Sequence, residues 1–233
     1  MHAIDVMTTE IITVSLVTTV KEIAGLLLKH RISGVPVVDG NQYVLGIVCE
    51  GDLMRRLEND TNQRHSWWMA EELLATHNAE TYLKTHGRTA SDVMTPNVIS
   101  VEENTPLHKI AELLGKHHIK RVPVTREGRL VGLVSRANLL HGLTAKGVKV
   151  GASDTAVDRT IRKKLIQELT TEAGLASERI NVIVYDGVVQ IWGIVRTETE
   201  IRAAQIAAES IEGVKSVENH LQKLPPYLSG VHQ

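Results

Sequence analysis

One block of this chain occurs twice, at an offset of 87 residues. Asp5-Val6-Met7-Thr8 returns as Asp92-Val93-Met94-Thr95, and Ile12-Thr13-Val14 returns as Ile99-Ser100-Val101. Ile32-Ser33-Gly34-Val35-Pro36-Val37 returns as Ile119-Lys120-Arg121-Val122-Pro123-Val124. One residue is lost in the next turn. Leu45-Gly46-Ile47-Val48 then returns as Val131-Gly132-Leu133-Val134, and Cys49-Glu50-Gly51-Asp52-Leu53 as Ser135-Arg136-Ala137-Asn138-Leu139. A repeat of this length is a supersecondary unit too small to bury its own apolar face, so two copies are expected to share a core. Their packing implies a cleft with pseudo-twofold symmetry and two candidate sites, whose differences can be read within one chain.

The 233 residues accommodate two compact domains. A hydrophobic fraction of 42% with 3% aromatics and no Phe predicts aliphatic cores. The formal net charge of -1 argues against a nucleic-acid-binding surface. The one cysteine excludes an internal disulfide and fits a reducing compartment. Met1-His2-Ala3-Ile4-Asp5 lacks a charged stretch followed by an apolar one, and no apolar run reaches membrane-spanning length. The expectation is a cytoplasmic protein.

Each repeat, over residues 3–57 and 90–145, reads as strand, helix, strand, strand, helix. In the first, Ile11 to Val14 is a short strand, and Thr19 with Glu22 forms a capping box. Ile23, Leu26, Leu27 and His30 follow at helical spacing. Val35 to Val38 and Val44 to Cys49 are β-branched runs around the turn Asp39-Gly40-Asn41, and a short helix follows from Asp52. In the second repeat Thr105 is the expected N-cap, with Pro106 at the first helical position. Residues 58–89 form a polar, helix-prone insertion holding Trp67 and Trp68, with Gly87 ending it. A linker follows residue 148. Residues 153–223 read as a separate domain of order α-β-β-α-β, able to fold by itself. Asp154 caps its first helix, and Val157, Ile161, Leu165 and Leu169 recur every four residues up to Gly174. Ile180 to Tyr185 and Val188 to Val195 flank Asp186-Gly187, a type I′ hairpin signal. Thr197 and Glu200 form a second capping box, and Val214 to Leu221 is the last strand. Residues 224–233 are a tail.

The paired Asp-Val-Met-Thr openings, Val-Pro-Val strands, Leu-Gly-Ile-Val and Val-Gly-Leu-Val strands make residues 1–148 resemble a pair of CBS motifs, the regulatory Bateman module. The C-terminal domain resembles a BON domain, through its helix, the hairpin with Gly187 and Gly193, and Gly213-Val214. The fold expected is therefore α/β and α+β: a tandem CBS repeat (β-α-β-β-α twice) followed by an α-β-β-α-β BON domain.

The resemblance implies a ligand. CBS pairs commonly bind AMP, ADP, ATP or S-adenosylmethionine, with an Asp on the ribose hydroxyls and the adenine held by the first strand and an x-x-hydrophobic-Pro segment. Carried onto this chain, one site comprises Asp52, Thr95, Asn97, Val98, Lys120, Arg121, Val122 and Pro123. A second, weaker site comprises Thr8, Ile11, Ser33, Gly34, Val35, Pro36, Ser135, Arg136 and Asn138. The carboxylate of Asp52 accepts hydrogen bonds from a vicinal diol better than Asn138 can, so Asn138→Asp is expected to create binding. Lys120 and Arg121 are suited to phosphate, whereas Ser33-Gly34 carries no charge. Cys49 stands where the family pattern has Ser or Thr.

The 11 histidines are scattered without metal-ligand spacing, and no catalytic signature is present. The resemblance also associates BON domains with phospholipid. Residues 151–233 hold nine Lys and Arg against eleven Asp and Glu, a poor match to an anionic surface. The cluster Arg159, Arg162, Lys163 and Lys164 reads as the solvated face of an amphipathic helix. The expected function is a non-enzymatic sensor without cofactor or metal. It binds an adenosine compound, forms a homodimer through its CBS pair, and uses BON for output to a protein partner. The alternative is a structural, envelope-associated adaptor whose BON domain binds lipid or protein.

Overall fold

A computed structural model describes residues 1–54, 83, 86–145, 155–175 and 177–224. Trp67, Trp68, Asp154 and the tail beyond Leu224 lie outside these residues. The sequence-predicted caps and hairpins are local, because each needs only neighbours in the chain. Following α1 (Ala3–Val6), Thr19 opens α2 (Val20–His30). Its hydroxyl accepts the Glu22 N–H at 3.3 Å, and the Glu22 carboxylate accepts the Thr19 N–H at 2.8 Å. β1 (Gly34–Val38) and β2 (Val44–Cys49) pair antiparallel with Gly34 opposite Cys49. Asp39 closes their turn by accepting the N–H groups of Asn41 and Tyr43 at 2.9 and 2.8 Å. The second repeat runs through α3 (Ala90–Val93), β3 (Thr95–Pro96), β4 (Val101–Glu102), α4 (Leu107–Lys116), β5 (Arg121–Arg126), β6 (Arg129–Ser135) and α5 (Arg136–Ala145).

Two local expectations are corrected. Ile11 to Val14 is not a strand; only Val14 makes a parallel bridge, to Val37. Pro106, not Thr105, is the N-cap of α4, at φ -61° and ψ 143°. The reason is tertiary. The Thr105 carbonyl accepts the Ala3 N–H at 2.9 Å and His2 bridges Pro106, which holds this corner extended.

The compact units do not follow the sequence repeats. A larger unit contains Met1–Glu10, Val101–Val124 and Val131–Gln233; a smaller one contains Ile11–Ser100 and Thr125–Leu130. Each Asp-Val-Met-Thr opening therefore lies on the sheet of the other repeat. In the larger unit Thr8 exchanges two backbone hydrogen bonds with Leu133, at 3.0 and 2.9 Å, and a Cβ on Gly132 would overlap Met7 Sδ. In the smaller unit Thr95 and Pro96 pair with Ile47 and Gly46, and a Cβ on Gly46 would overlap Met94 Sδ. The openings complete two cores. Ala90 and Val93 pack with Val14, Ile23, Leu27, Val35, Val37 and Val48. Ala3, Val6 and Met7 pack with Ile110, Leu114, Val122, Val124 and Val134.

The C-terminal segment is α6 (Thr155–Thr171), a 3-10 turn (Ser177–Arg179), β7 (Ile180–Tyr185), β8 (Val188–Val195), α7 (Glu198–Ser210) and β9 (Ser216–Lys223). Positive φ at Asp186 and Gly187 gives the type I′ turn, and β9 joins β8 in parallel. Ile161, Leu165 and Leu169 are buried as their spacing predicts, while Val157 is 48% exposed, lying over Gly213, which has no side chain to cover it. Alternate residues of β7 face opposite ways. Val182 and Val184 join the core of α6 and α7, whereas Ile183 joins the core of Val6, Met7 and Val122. Gly193 has φ 148°, and a Cβ there would overlap the Arg179 carbonyl. Gly193→Ala is expected to cost about 2 kcal/mol or more, from backbone strain and overpacking. Urea unfolding of the full chain checks this, and an unchanged midpoint would count against it.

Candidate functional site

The strand-to-helix corner after each hairpin has the same local chemistry. Residues 50–54 are helical, and Asp52 at the third position accepts the Cys49 N–H through Oδ2 at 2.9 Å. The N–H of Glu50 reaches the Ser33 carbonyl at 3.2 Å. Register puts Gly34 opposite Cys49, so the start of β1 and Asp52 share one end of the smaller unit's sheet. Asp52 is 9% exposed. Thr95 extends this sheet, and Asn97 follows in the left-handed region at φ 53°. The smaller unit thus holds Asp52, Ser33, Gly34, Val35, Pro36, Thr95, Asn97, Val98 and Ile11.

The larger unit repeats the corner with different atoms. Asn138 Oδ1 accepts both the Ser135 N–H at 2.8 Å and the Ser135 hydroxyl at 2.6 Å. Its Nδ2 donates to the Val6 carbonyl at 3.0 Å. Asn138 is 6% exposed, so both ends of its amide are committed to structure. The Arg136 N–H donates to the Lys120 carbonyl, and Arg136 Nη2 donates to the Ile119 carbonyl, both at 3.2 Å. Lys120, Arg121, Val122, Pro123, Ser135, Arg136, Asn138 and Thr8 belong to this unit. Lys120 is exposed; Val122 and Pro123 are buried in the strand.

Reading the basic cluster as a solvated face missed two residues. Lys163 and Lys164 are exposed as expected, but Arg162 is 6% exposed. Its guanidinium donates to the carbonyls of Val182, at 2.8 Å, and Met7. Burial pulls its pKa down to about 10, partly opposed by the nearby Asp5 carboxylate. Arg159 Nε donates to Asp5 Oδ1 at 2.7 Å. No sequence signal marks them, because a helical period of basic residues does not say which side a neighbour will cover.

The same unit contains an aromatic stack. Trp192 lies between His141 and His220, with ring centroids 4.7 and 3.9 Å away. His141 Nδ1 is 3.2 Å from Asn181 Nδ2. Burial, then the neighbouring His220, lowers the His141 pKa below 6.5. The unfolded chain therefore binds the proton more readily, and stability falls as pH drops below about 6.5. Thermal unfolding between pH 8 and 5 is expected to show this decline, and His141→Gln to shrink it; an equal slope in the variant would contradict the assignment. Among the described residues no cluster of three or more His, Cys, Asp or Glu could hold a metal, and no helix is long and apolar enough to cross a membrane.

Comparison with known proteins agrees with this architecture. Residues 3–59 and 90–145 match the CBS domain, and residues 157–224 match the BON domain. The chain is 35% identical over 130 residues to the chloroplastic CBS domain-containing protein CBSX1 of Arabidopsis thaliana, and 31% identical over 135 residues to its CBSX2. Each match covers 53% of this chain and 55% of the relative, so the chain spans about half the length of these curated relatives. The CBS domain-containing protein YhcV of Bacillus subtilis is 30% identical over 137 residues, 58% of this chain and 80% of that protein. The crystal structure of CBSX2 in complex with AMP superposes with a TM-score of 0.52 at 28% identity, covering 61% of this chain and 96% of the other. Matched in both repeats and in its C-terminal segment, the chain belongs to the CBS-domain family, as a CBS pair followed by a BON domain.

Proposed function

We propose that this chain is a regulatory protein, without enzymatic activity, that binds an adenosine-type ligand through residues 1–148 and uses residues 153–223 as its output domain. The observation that carries the reading is Asp52. Asp52 places a carboxylate at this strand-to-helix corner, where it caps the Cys49 N–H, and a carboxylate is the group suited to accept two hydrogen bonds from a vicinal diol. The AMP complex of CBSX2 supports the ligand class. Asp52, Thr95, Asn97, Val98, Val122 and Pro123 are the proposed nucleoside contacts, and Lys120 and Arg121 the proposed phosphate contacts. Thr8, Ile11, Ser33, Gly34, Val35, Pro36, Ser135, Arg136 and Asn138 are proposed as the weaker set, since the Asn138 amide already has partners at both ends. Copies of the chain are proposed to pair through the CBS part, a reading supported by the exposed Leu140 and Leu143 on α5.

Calorimetric titration tests the proposal with AMP, ADP, ATP, S-adenosylmethionine and adenosine. AMP is expected to bind about tenfold or more tightly than adenosine, because a charge-assisted phosphate contact contributes about 1.5–3 kcal/mol. Equal affinities would remove Lys120 and Arg121 from the site. At about 100 times its dissociation constant the ligand should also add roughly 2.7 kcal/mol of stability. No binding of any of the five, together with flotation on anionic liposomes, would replace this reading by the lipid-binding adaptor.

A further inference from the structure

We infer that residues 5–8 couple the docking of the BON domain to the Ser135–Asn138 corner, so that the BON domain reports the state of that corner. Four consecutive residues are held from two sources in alternation. Asp5 is held by Arg159 of the BON helix, through the 2.7 Å contact to its carboxylate. The Val6 carbonyl is held by Asn138 Nδ2 at 3.0 Å. The Met7 carbonyl is held by the buried Arg162, which also holds the Val182 carbonyl of β7. Thr8 exchanges two backbone hydrogen bonds with Leu133, on the strand that leads to Ser135. Asp5 and Val6 end helix α1, and Met7 leaves it in extended backbone at φ -62° and ψ 148°. The segment is thus held at a helix-to-extended junction, by the BON helix and by the second repeat together.

The grip has little slack. Arg162 is a buried cation that donates to two carbonyls, one on each side of the BON contact. Moving Met7 withdraws one acceptor from a desolvated guanidinium, and a buried donor left unpaired is costly. Moving Asn138 toward a ligand withdraws the donor from Val6, one peptide away. Each event makes the other easier, which is the reciprocal relation expected of coupled sites. Two further contacts join the same parts: Asn181 with His141 on α5, and Ile183 within the core of Val6 and Met7. Arg159 and Arg162 are thus positioning residues, acting on the corner through the segment.

The coupling itself needs no ligand to be tested; its use as a readout rests on the proposed function. Amide hydrogen exchange of the full chain is followed at Met7 and Thr8 in Asn138→Ala, Arg162→Met and the double variant. Each single change is expected to speed exchange about tenfold, and the double change by about the same tenfold, because both release one segment. A hundredfold effect in the double variant, or no effect of Asn138→Ala, overturns the coupling. If Arg162→Met does not fold, Arg159→Ala at a partly exposed position serves in the same cycle. In a second arm, AMP at saturation is expected to change exchange at Val182 and Ile183 in the wild type but not in Arg162→Met. Calorimetric AMP binding with unchanged exchange there overturns the readout. An absence of AMP binding refutes the ligand proposal, while the mutant cycle still decides the coupling.

Discussion

Asp52→Asn is expected to lower AMP affinity about 10- to 100-fold while leaving the fold intact. The substitution keeps an oxygen acceptor for the Cys49 N–H, and the second repeat already shows that Asn fills this position, since Asn138 accepts the Ser135 N–H at 2.8 Å. What it removes is the ionised acceptor pair offered to a ribose diol. Hydrogen bonds to a charged group are worth about 1.5–3 kcal/mol, which converts to that range of affinity. Calorimetry with AMP measures the loss, and the thermal midpoint of the free protein controls for folding. An unchanged affinity would place the ligand elsewhere.

The reverse substitution has the larger expected effect, on stability. Asn138→Asp would supply a diol acceptor by local chemistry, and by sequence alone it should create binding. The structure redirects that expectation. Nδ2 of Asn138 donates to the Val6 carbonyl in a buried site, so a carboxylate there would set an anion against a carbonyl oxygen. An uncompensated buried charge costs about 3–5 kcal/mol. Burial and the facing carbonyl raise the folded-state pKa of the new carboxyl above its unfolded value of about 3.9. The unfolded chain then releases its proton first, so the variant loses stability as pH rises and recovers it in acid, where the protonated group can donate to Val6. Urea unfolding at pH 5 and 8 checks the sign. Wild-type stability at pH 8 would mean that Val6 is not held by Asn138.

The capping boxes at Thr19 and Thr197, the Asp186-Gly187 turn and the limits of β2, β7 and β8 were all legible in the sequence. Each is decided by residues within a few positions of one another, where side chain, backbone dihedral and hydrogen-bond partner come from the same stretch. The repeat likewise told that Asp52 and Asn138 occupy equivalent strand-to-helix corners, each capping the N–H three residues before it. Tertiary structure alone decided the rest. The Asp-Val-Met-Thr openings complete the cores of the opposite repeats, a swap invisible to an offset that treats both copies alike. Asn138 is engaged by a carbonyl 132 residues away, and Arg162 by one 155 residues away. Backbone carbonyls carry no residue identity. A sequence can therefore show that a donor is present, but which distant carbonyl receives it is set only when the chain packs.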